Sequence, residues 1–274
     1  MPKLFDVRHP DEGDYKALKS LWIKCFDDAP SVVERFFENA VTPENAVAAF
    51  TGDSAVSVLY TIDSTITNNG AHYKALYVYA VCTDPDFRGR GLMKACFDFL
   101  FDKARERGFD YLFLVPANEE LFPMYQRLGF ETGFFVCESK AYSRDYTCDC
   151  TDSQELAFED YKNIRSSFSN TINLATLGEK GFNAFLSPKS ETVKAIKCGD
   201  GYAVFEIEGD SVTVHELFGN KECLLSCVFK LTKADNLTVR GFPGCGNSKP
   251  SGMYLSLGDA PQIKNAFFGI PYGG

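Results

Sequence analysis

Arg88-Gly89-Arg90-Gly91 stands between an apolar run, residues 75–81, and an amphipathic run, residues 92–107. That order reads as strand, tight turn and helix. The glycines leave backbone N–H groups uncovered, and the start of the helix adds partial positive charge. Arg88 and Arg90 can add charge-assisted bonds, Arg90 from the solvent side. The chemistry this arrangement suits is the binding of a phosphate or diphosphate.

Two other glycine-turn sites do not fit. A dinucleotide fingerprint wants a further glycine and an acidic residue after the next strand, whereas Val115-Pro116-Ala117-Asn118 supplies no acid there. A Walker loop needs a lysine after its last glycine, and Leu92 occupies that place.

The elements around the turn follow from spacing. A short strand is predicted over residues 4–8, then a helix over 12–26 capped by Asp11, with Leu18, Leu21, Trp22 and Phe26 on one stripe. Pro30 and Ser31 open a second helix. Strands over 46–50 and 55–62 flank the turn Thr51-Gly52-Asp53-Ser54, and Asn68-Asn69-Gly70 leads into the long strand 72–81. After the central turn, Met93, Cys96, Phe97, Leu100 and Ala104 stripe a helix that Gly108 stops. A buried strand over 111–115, a helix over 119–128 begun by Asn118, and a strand over 130–137 complete this half. Composition turns polar over 139–152. Helices are predicted over 155–168 and 177–186, the second ended by Pro188. Strands follow over 192–197, 202–208 and 211–217, then a helix over 223–231, a strand over 237–240, a broken loop over 241–252 and a last strand over 253–257. The second half thus echoes the element order of the first without a residue-level repeat.

At 274 residues, 45% hydrophobic and with 25 Phe and 13 Tyr, the chain has the bulk for two modest cores. A net charge of -9 argues against general nucleic-acid or membrane-surface binding; it is compatible with cationic small substrates but mostly serves solubility. The start, Met1-Pro2-Lys3-Leu4-Phe5-Asp6, lacks the apolar core of a signal peptide, and no run approaches a membrane span. The expected location is the cytoplasm, and the ten scattered cysteines read as buried thiols. Cys148-Asp149-Cys150 is the one very close pair. With only His9, His72 and His215 elsewhere, no ligand set at zinc spacing forms, so no metal is expected.

Arg88-Gly89-Arg90-Gly91-Leu92-Met93 resembles the acyl-CoA-binding motif of the GNAT N-acetyltransferase superfamily: Gln or Arg, two residues, Gly, one residue, then Gly or Ala. Arg88 and Gly91 match, while Met93 stands where the family has a small residue. Pro85 after a Val-x-Thr strand end, the length of the following helix, and Leu114-Val115-Pro116-Ala117-Asn118 with Tyr125 and Gly129-Phe130 extend the likeness. It covers residues 1–140; over 150–274 it rests on element order alone.

The resemblance implies an α/β (α+β) fold of two GNAT-like mixed-sheet domains with helices on both faces. Residues 1–140 would be the catalytic domain binding acetyl-CoA, 141–152 a linker, and 153–274 a divergent second copy. The implied reaction moves an acetyl group from acetyl-CoA, as co-substrate, to a primary amine by direct attack in a ternary complex. Val81 and Thr83 would hold the thioester and pantetheine arm by their backbone. Arg88, Gly89, Arg90, Gly91, Leu92 and Met93 would cradle the diphosphate, and Asn118 would touch the arm. Tyr125 would be the general acid that protonates the departing thiolate. The general base is not readable; His72, Glu34 and Glu38 are loose candidates. In the second half, Leu217-Phe218-Gly219-Asn220-Lys221-Glu222 stands at the equivalent turn with one glycine and no arginine. This half is expected to have lost the cofactor site and to shape the acceptor pocket. The acceptor would be a small-molecule or peptide amine, with no nucleic acid or membrane partner and room for a homodimer. The alternative is a non-catalytic acyl-CoA-binding regulatory module.

Overall fold

A computed structural model describes residues 5–148, 153–186, 190, 192–244 and 247–270. The expected strand start at Leu4, the stop at Pro188, the Asp149-Cys150 end of the close cysteine pair, and parts of the 141–152 linker and the 241–252 loop lie outside the described residues.

In the first half, β1 (Asp6–Arg8) leads through a 3-10 turn into α1 (Tyr15–Phe26) and α2 (Pro30–Ala40). Asp11 caps that turn, its side chain accepting from the Gly13 N–H. β2 (Ala46–Thr51), β3 (Ser54–Asn68) and β4 (Ala71–Thr83) form an antiparallel meander. α3 (Leu92–Glu106) then crosses to β5 (Tyr111–Leu114), parallel to β4, and α4 (Phe122–Gln126) precedes β6 (Glu131–Tyr142). The second half contributes β7 (Gln154–Glu155), α5 (Phe158–Ser167), β8 (Leu174–Leu177), α6 (Glu179–Phe185), β9 (Val193–Cys198), β10 (Gly201–Glu208), β11 (Ser211–Phe218), α7 (Lys221–Thr232), β12 (Asn236–Gly241) and β13 (Ser248–Ser256).

One mixed sheet runs through both halves, in the order β1-β2-β3-β4-β5-β13-β6-β12-β11-β10-β9-β7, with β8 paired to β3. Its interleaving explains where the sequence reading falls short. β6 continues past Cys137 because β12 pairs along it, Leu237 opposite Ala141. β13 begins inside the predicted loop because Ser248 and Lys249 pair with Cys137 and Val136; a register shift beside Pro250 accommodates a residue that cannot donate to the ladder. β7 and β8 were not predicted. They are two and four residues long and exist through partners distant in sequence, as in Thr67 opposite Leu174.

Alternation along the strands sorts the core by face. On one face, a continuous cluster joins Trp22, Phe36 and Tyr77 of the first half to Phe185, Tyr202 and Phe268 of the second. On the other, α3 and α4 cover one cluster and α7 covers another. The α3 stripe is Leu92, Cys96, Phe97, Leu100 and Ala104, with Met93 only partly buried. Phe26 was expected in the α1 stripe but is 40% exposed.

Among the described residues no helix is long and apolar enough to cross a membrane. Cys25, Cys82, Cys96, Cys148, Cys198, Cys223 and Cys227 are thiols, whereas Cys137 is disulfide-bonded and departs from the all-thiol expectation.

Candidate active site

The central turn is built as an open cradle. Gly89 and Gly91 hold φ of +74° and +76°, which other residues rarely adopt, and a Cβ at either would meet nothing within 4 Å. The first helical bond of α3 runs from the Ala95 N–H to the Gly91 carbonyl, 3.0 Å, so Leu92, Met93 and Lys94 keep their N–H groups outside the helix ladder. No side chain caps this end. The surrounding loop is braced. Arg88 Nε donates to the Thr83 carbonyl (3.2 Å), Arg90 donates to the Asp86 carbonyl (3.2 Å), and the Arg90 guanidinium lies over Phe87. Lys24 reaches across from α1 to Asp84 (2.7 Å) and Asp86 (3.2 Å), and holds the Asp84 carboxyl below its ordinary range. Both arginines remain exposed at the rim.

Upstream of the cradle, β4 leaves its neighbour. The last β4–β5 pair is Val78 opposite Leu114, although β4 continues to Thr83. On the other edge, β3 runs from Val58 to Tyr60 while β4 runs from Cys82 to Tyr79, so one extra residue bulges out of β4. Ala80 carries the bulge at φ 46°, a conformation that costs an alanine roughly 1–2 kcal/mol. The small side chain inside Tyr79-Ala80-Val81 is the only sequence signal for this bulge. Between the diverging strands lies a cavity of about 330 Å³, lined by Tyr79, Ala80, Val81, Leu114, Val115 and Tyr125 among others.

Tyr125 is 6% exposed, its ring set edge-on to Phe97 and Phe130. Burial pushes its hydroxyl up to about 12, so it holds its proton throughout the neutral range. Thr83 keeps its side chain on Ser57 (2.8 Å) and gives its carbonyl to Arg88. Asn118 is exposed at the start of the 3-10 turn before α4 and makes no side-chain cap bond. The hydrogen bond with Cys25, and then burial, push the Cys82 thiol well above the ordinary range, which disfavours the thiolate a nucleophile needs.

None of the three base candidates lines this cavity. His72 bonds Thr67 (3.0 Å) at the opposite end of β4, roughly 20 Å away at about 3.3 Å per strand residue. Glu34 pairs with Lys19, and Glu38 is exposed on α2. The acid at the site is Asp28, whose Oδ2 accepts from Trp22 Nε1 at 2.7 Å. Asp28, Trp22, Phe26 and Tyr79 also line a second cavity of about 430 Å³, walled by α2, α6 and β10. Among the described residues Asp27, Asp28, Glu206 and Glu208 line it together with Arg35, and Glu206 also meets His215 Nε2 at 3.0 Å. The sequence reading missed this acidic basin. Its available signals were a lone tryptophan, whose N–H needs a partner when buried, and the Asp27-Asp28 pair directly after the helix.

The second strand-to-helix turn is closed. Asn220 caps α7 by accepting from the Cys223 N–H (3.1 Å). A Cβ at Gly219 would meet the Gly201 Cα at 2.7 Å, so the β9–β10 turn fills the space left open above Gly91.

The site thus combines a mixed sheet whose parallel strands splay with an open glycine cradle beside them. Residues 6–133 match the acetyltransferase (GNAT) domain, which makes this stretch a GNAT domain. Most of the chain is similar in fold to GCN5-related N-acetyltransferases from Kribbella flavida and Anabaena variabilis. For the first, the TM-score is 0.72 at 15% identity, covering 91% of this chain and 70% of that one. For the second it is 0.73 at 14%, covering 93% and 73%. Eis1 from Mycobacterium abscessus is similar at a TM-score of 0.67 and 11% identity, covering 92% and 73%. Comparison with curated proteins gave no match.

Proposed function

We propose that the protein is an N-acetyltransferase that carries an acetyl group from acetyl-CoA to a primary amine on a cationic acceptor, by direct attack in a ternary complex. The observation behind this reading is the cavity that joins β4's unpaired edge, Tyr125 and Asp28, with an acidic basin beyond it. The diphosphate sits on the N–H groups from Gly89 to Met93, with Arg88 and Arg90 at the rim. The pantetheine arm runs beside Val81 and Thr83, near Asn118, where β5 has left β4 without a partner. The neutral amine attacks the thioester carbon, the C–S bond breaks, and Tyr125 gives its proton to the leaving sulfur. The proton released by the amine passes to Asp28 or solvent. Asp27, Glu206 and Glu208 favour acceptors that carry further positive charge. We also propose that residues 153–274 are a divergent second copy without a cofactor cradle, serving the acceptor side.

Two measurements test this. Acetyl-CoA is expected to raise the melting temperature, and free thiol is expected to be released with a di- or polyamine faster than with a neutral monoamine of equal size. Binding without turnover on any amine would favour the regulatory-module reading, and no binding would end both. Separately, Gly91→Asp tests the cradle. Aspartate tolerates the left-handed region better than most residues, so the substitution chiefly brings negative charge to the diphosphate position. Calorimetry should show at least a tenfold loss of acetyl-CoA affinity, about 1.4 kcal/mol, with little change in melting temperature. An unchanged dissociation constant would remove the cradle from cofactor binding.

A further inference from the structure

The second half brings together three cysteines that the linear sequence keeps apart. Cys198 ends β9, and Cys223 and Cys227 lie one turn apart on α7. Cys198 Sγ is 3.5 Å from Cys223 Sγ and 3.5 Å from Cys227 Sγ. All three sulfurs lie within 4.8 Å of one another, with Cys198 and Cys227 buried and Cys223 half-buried. Cysteine spacing missed them because two come from one helix and the third from a hairpin 25 residues upstream of Cys223.

From this geometry we propose a thiolate-bound zinc site at Cys198, Cys223 and Cys227. A disulfide needs sulfurs about 2.05 Å apart, so none of these contacts is one. Tetrahedral zinc holds its sulfurs at about 2.3 Å, which sets them roughly 3.8 Å from one another. The observed spacings need only small side-chain adjustments to reach that value. Three thiolates are soft donors, which select zinc over magnesium or calcium. Cys223 sits in the first turn of α7, where the helix end favours the thiolate the metal requires. Each thiol gives up its proton as the metal binds, so uptake strengthens as pH rises. The fourth position falls to a further donor or to water.

The site has a structural task. Cys198 immediately precedes the Gly199-Asp200 turn that closes over Gly219, so the ion would pin the β9–β10 hairpin to α7. The second turn thereby gains a metal staple where the first has an anion cradle.

The test uses the whole chain, made in zinc-supplemented medium and purified under reducing conditions. Elemental analysis is expected to find one zinc per chain. Cys198→Ser and Cys227→Ser should each lose it, while Cys25→Ser, on α1, keeps it. Cobalt in place of zinc should give an intense near-ultraviolet sulfur-to-metal band of a tetrahedral site. If the buried variants do not fold, Cys223→Ser and the wild-type cobalt spectrum decide. Four results would overturn the site: no zinc in the wild type with all three thiols reacting freely in the folded protein, a disulfide among them, zinc retained by Cys198→Ser, or a cobalt spectrum without the sulfur band.

Discussion

Tyr125→Phe is expected to lower turnover by about 10²–10⁴, the range general acid catalysis supplies, while leaving acetyl-CoA affinity within about twofold. The substitution removes one hydroxyl and keeps the ring that meets Phe97 and Phe130 edge-on. Burial is the sole cause of that hydroxyl's raised pKa, so its loss should leave the melting temperature level or slightly higher. A loss confined to kcat, with Kd and stability retained, marks an interaction made in the transition state. The pH profile adds an independent arm. With its hydroxyl near 12, Tyr125 stays protonated, so the wild-type rate should rise as the acceptor amine loses its proton, with no falling limb up to pH 10. The variant should show the same shape at a lower rate. A falling limb near pH 9 that disappears in Tyr125→Phe would contradict the assignment, as would unchanged turnover.

The residues of this prediction were legible because their signals are local. Gly89, Gly91 and the α3 stripe lie within one strand-turn-helix unit, and Tyr125 follows within the next. What lay out of reach is what the sheet assembles from a distance. Asp28 joins the site only because α1 packs on β3 and β4, and Glu206 joins because β10 and α6 close over the same basin. The Ala80 bulge is set by a register shift against β3, which one small side chain does little to announce. The interleaving of β13 between β5 and β6 is the largest omission. It means the first half cannot be cut at residue 140 to assay it alone, because β5 and β6 would each lose their partner strand. Echoing element order therefore hides a physical dependence: the half that carries the glycine cradle borrows a central strand from the other half.

Arg165→Met is expected to cost about 3–5 kcal/mol, the range for a buried ion pair that loses one partner. Arg165 is 1% exposed and Glu216 0%, and they meet at 2.6 Å. Burial opposes the charge of the guanidinium, yet Glu216 outweighs it and holds the group above its ordinary range. Every edge of the guanidinium is used. Nε donates to Thr176 (3.1 Å), Nη1 also meets the Tyr202 hydroxyl (2.7 Å), Nη2 donates to the Ala175 carbonyl, and Tyr161 and Phe218 flank it. Glu216 accepts from Tyr202 (2.8 Å) and from the Gly269 N–H (3.1 Å), fixing the C-terminal segment beneath the sheet. With methionine at 165, that carboxylate keeps two neutral donors and loses the guanidinium. Against a total stability of roughly 5–15 kcal/mol for a folded domain, urea unfolding should register this as a large fall in midpoint. Arg165→Met with Glu216→Leu should recover much of the loss, since the isolated charge is then gone. The segment held by Gly269 carries Phe268, whose ring meets Tyr77 at 5.0 Å and Phe113 at 5.2 Å in the core beneath the splayed strands. The same variant should therefore raise the acceptor KM before it alters acetyl-CoA binding. A cost below about 1 kcal/mol, or a double variant no more stable than the single, would show that the pair adds little to the packing around it.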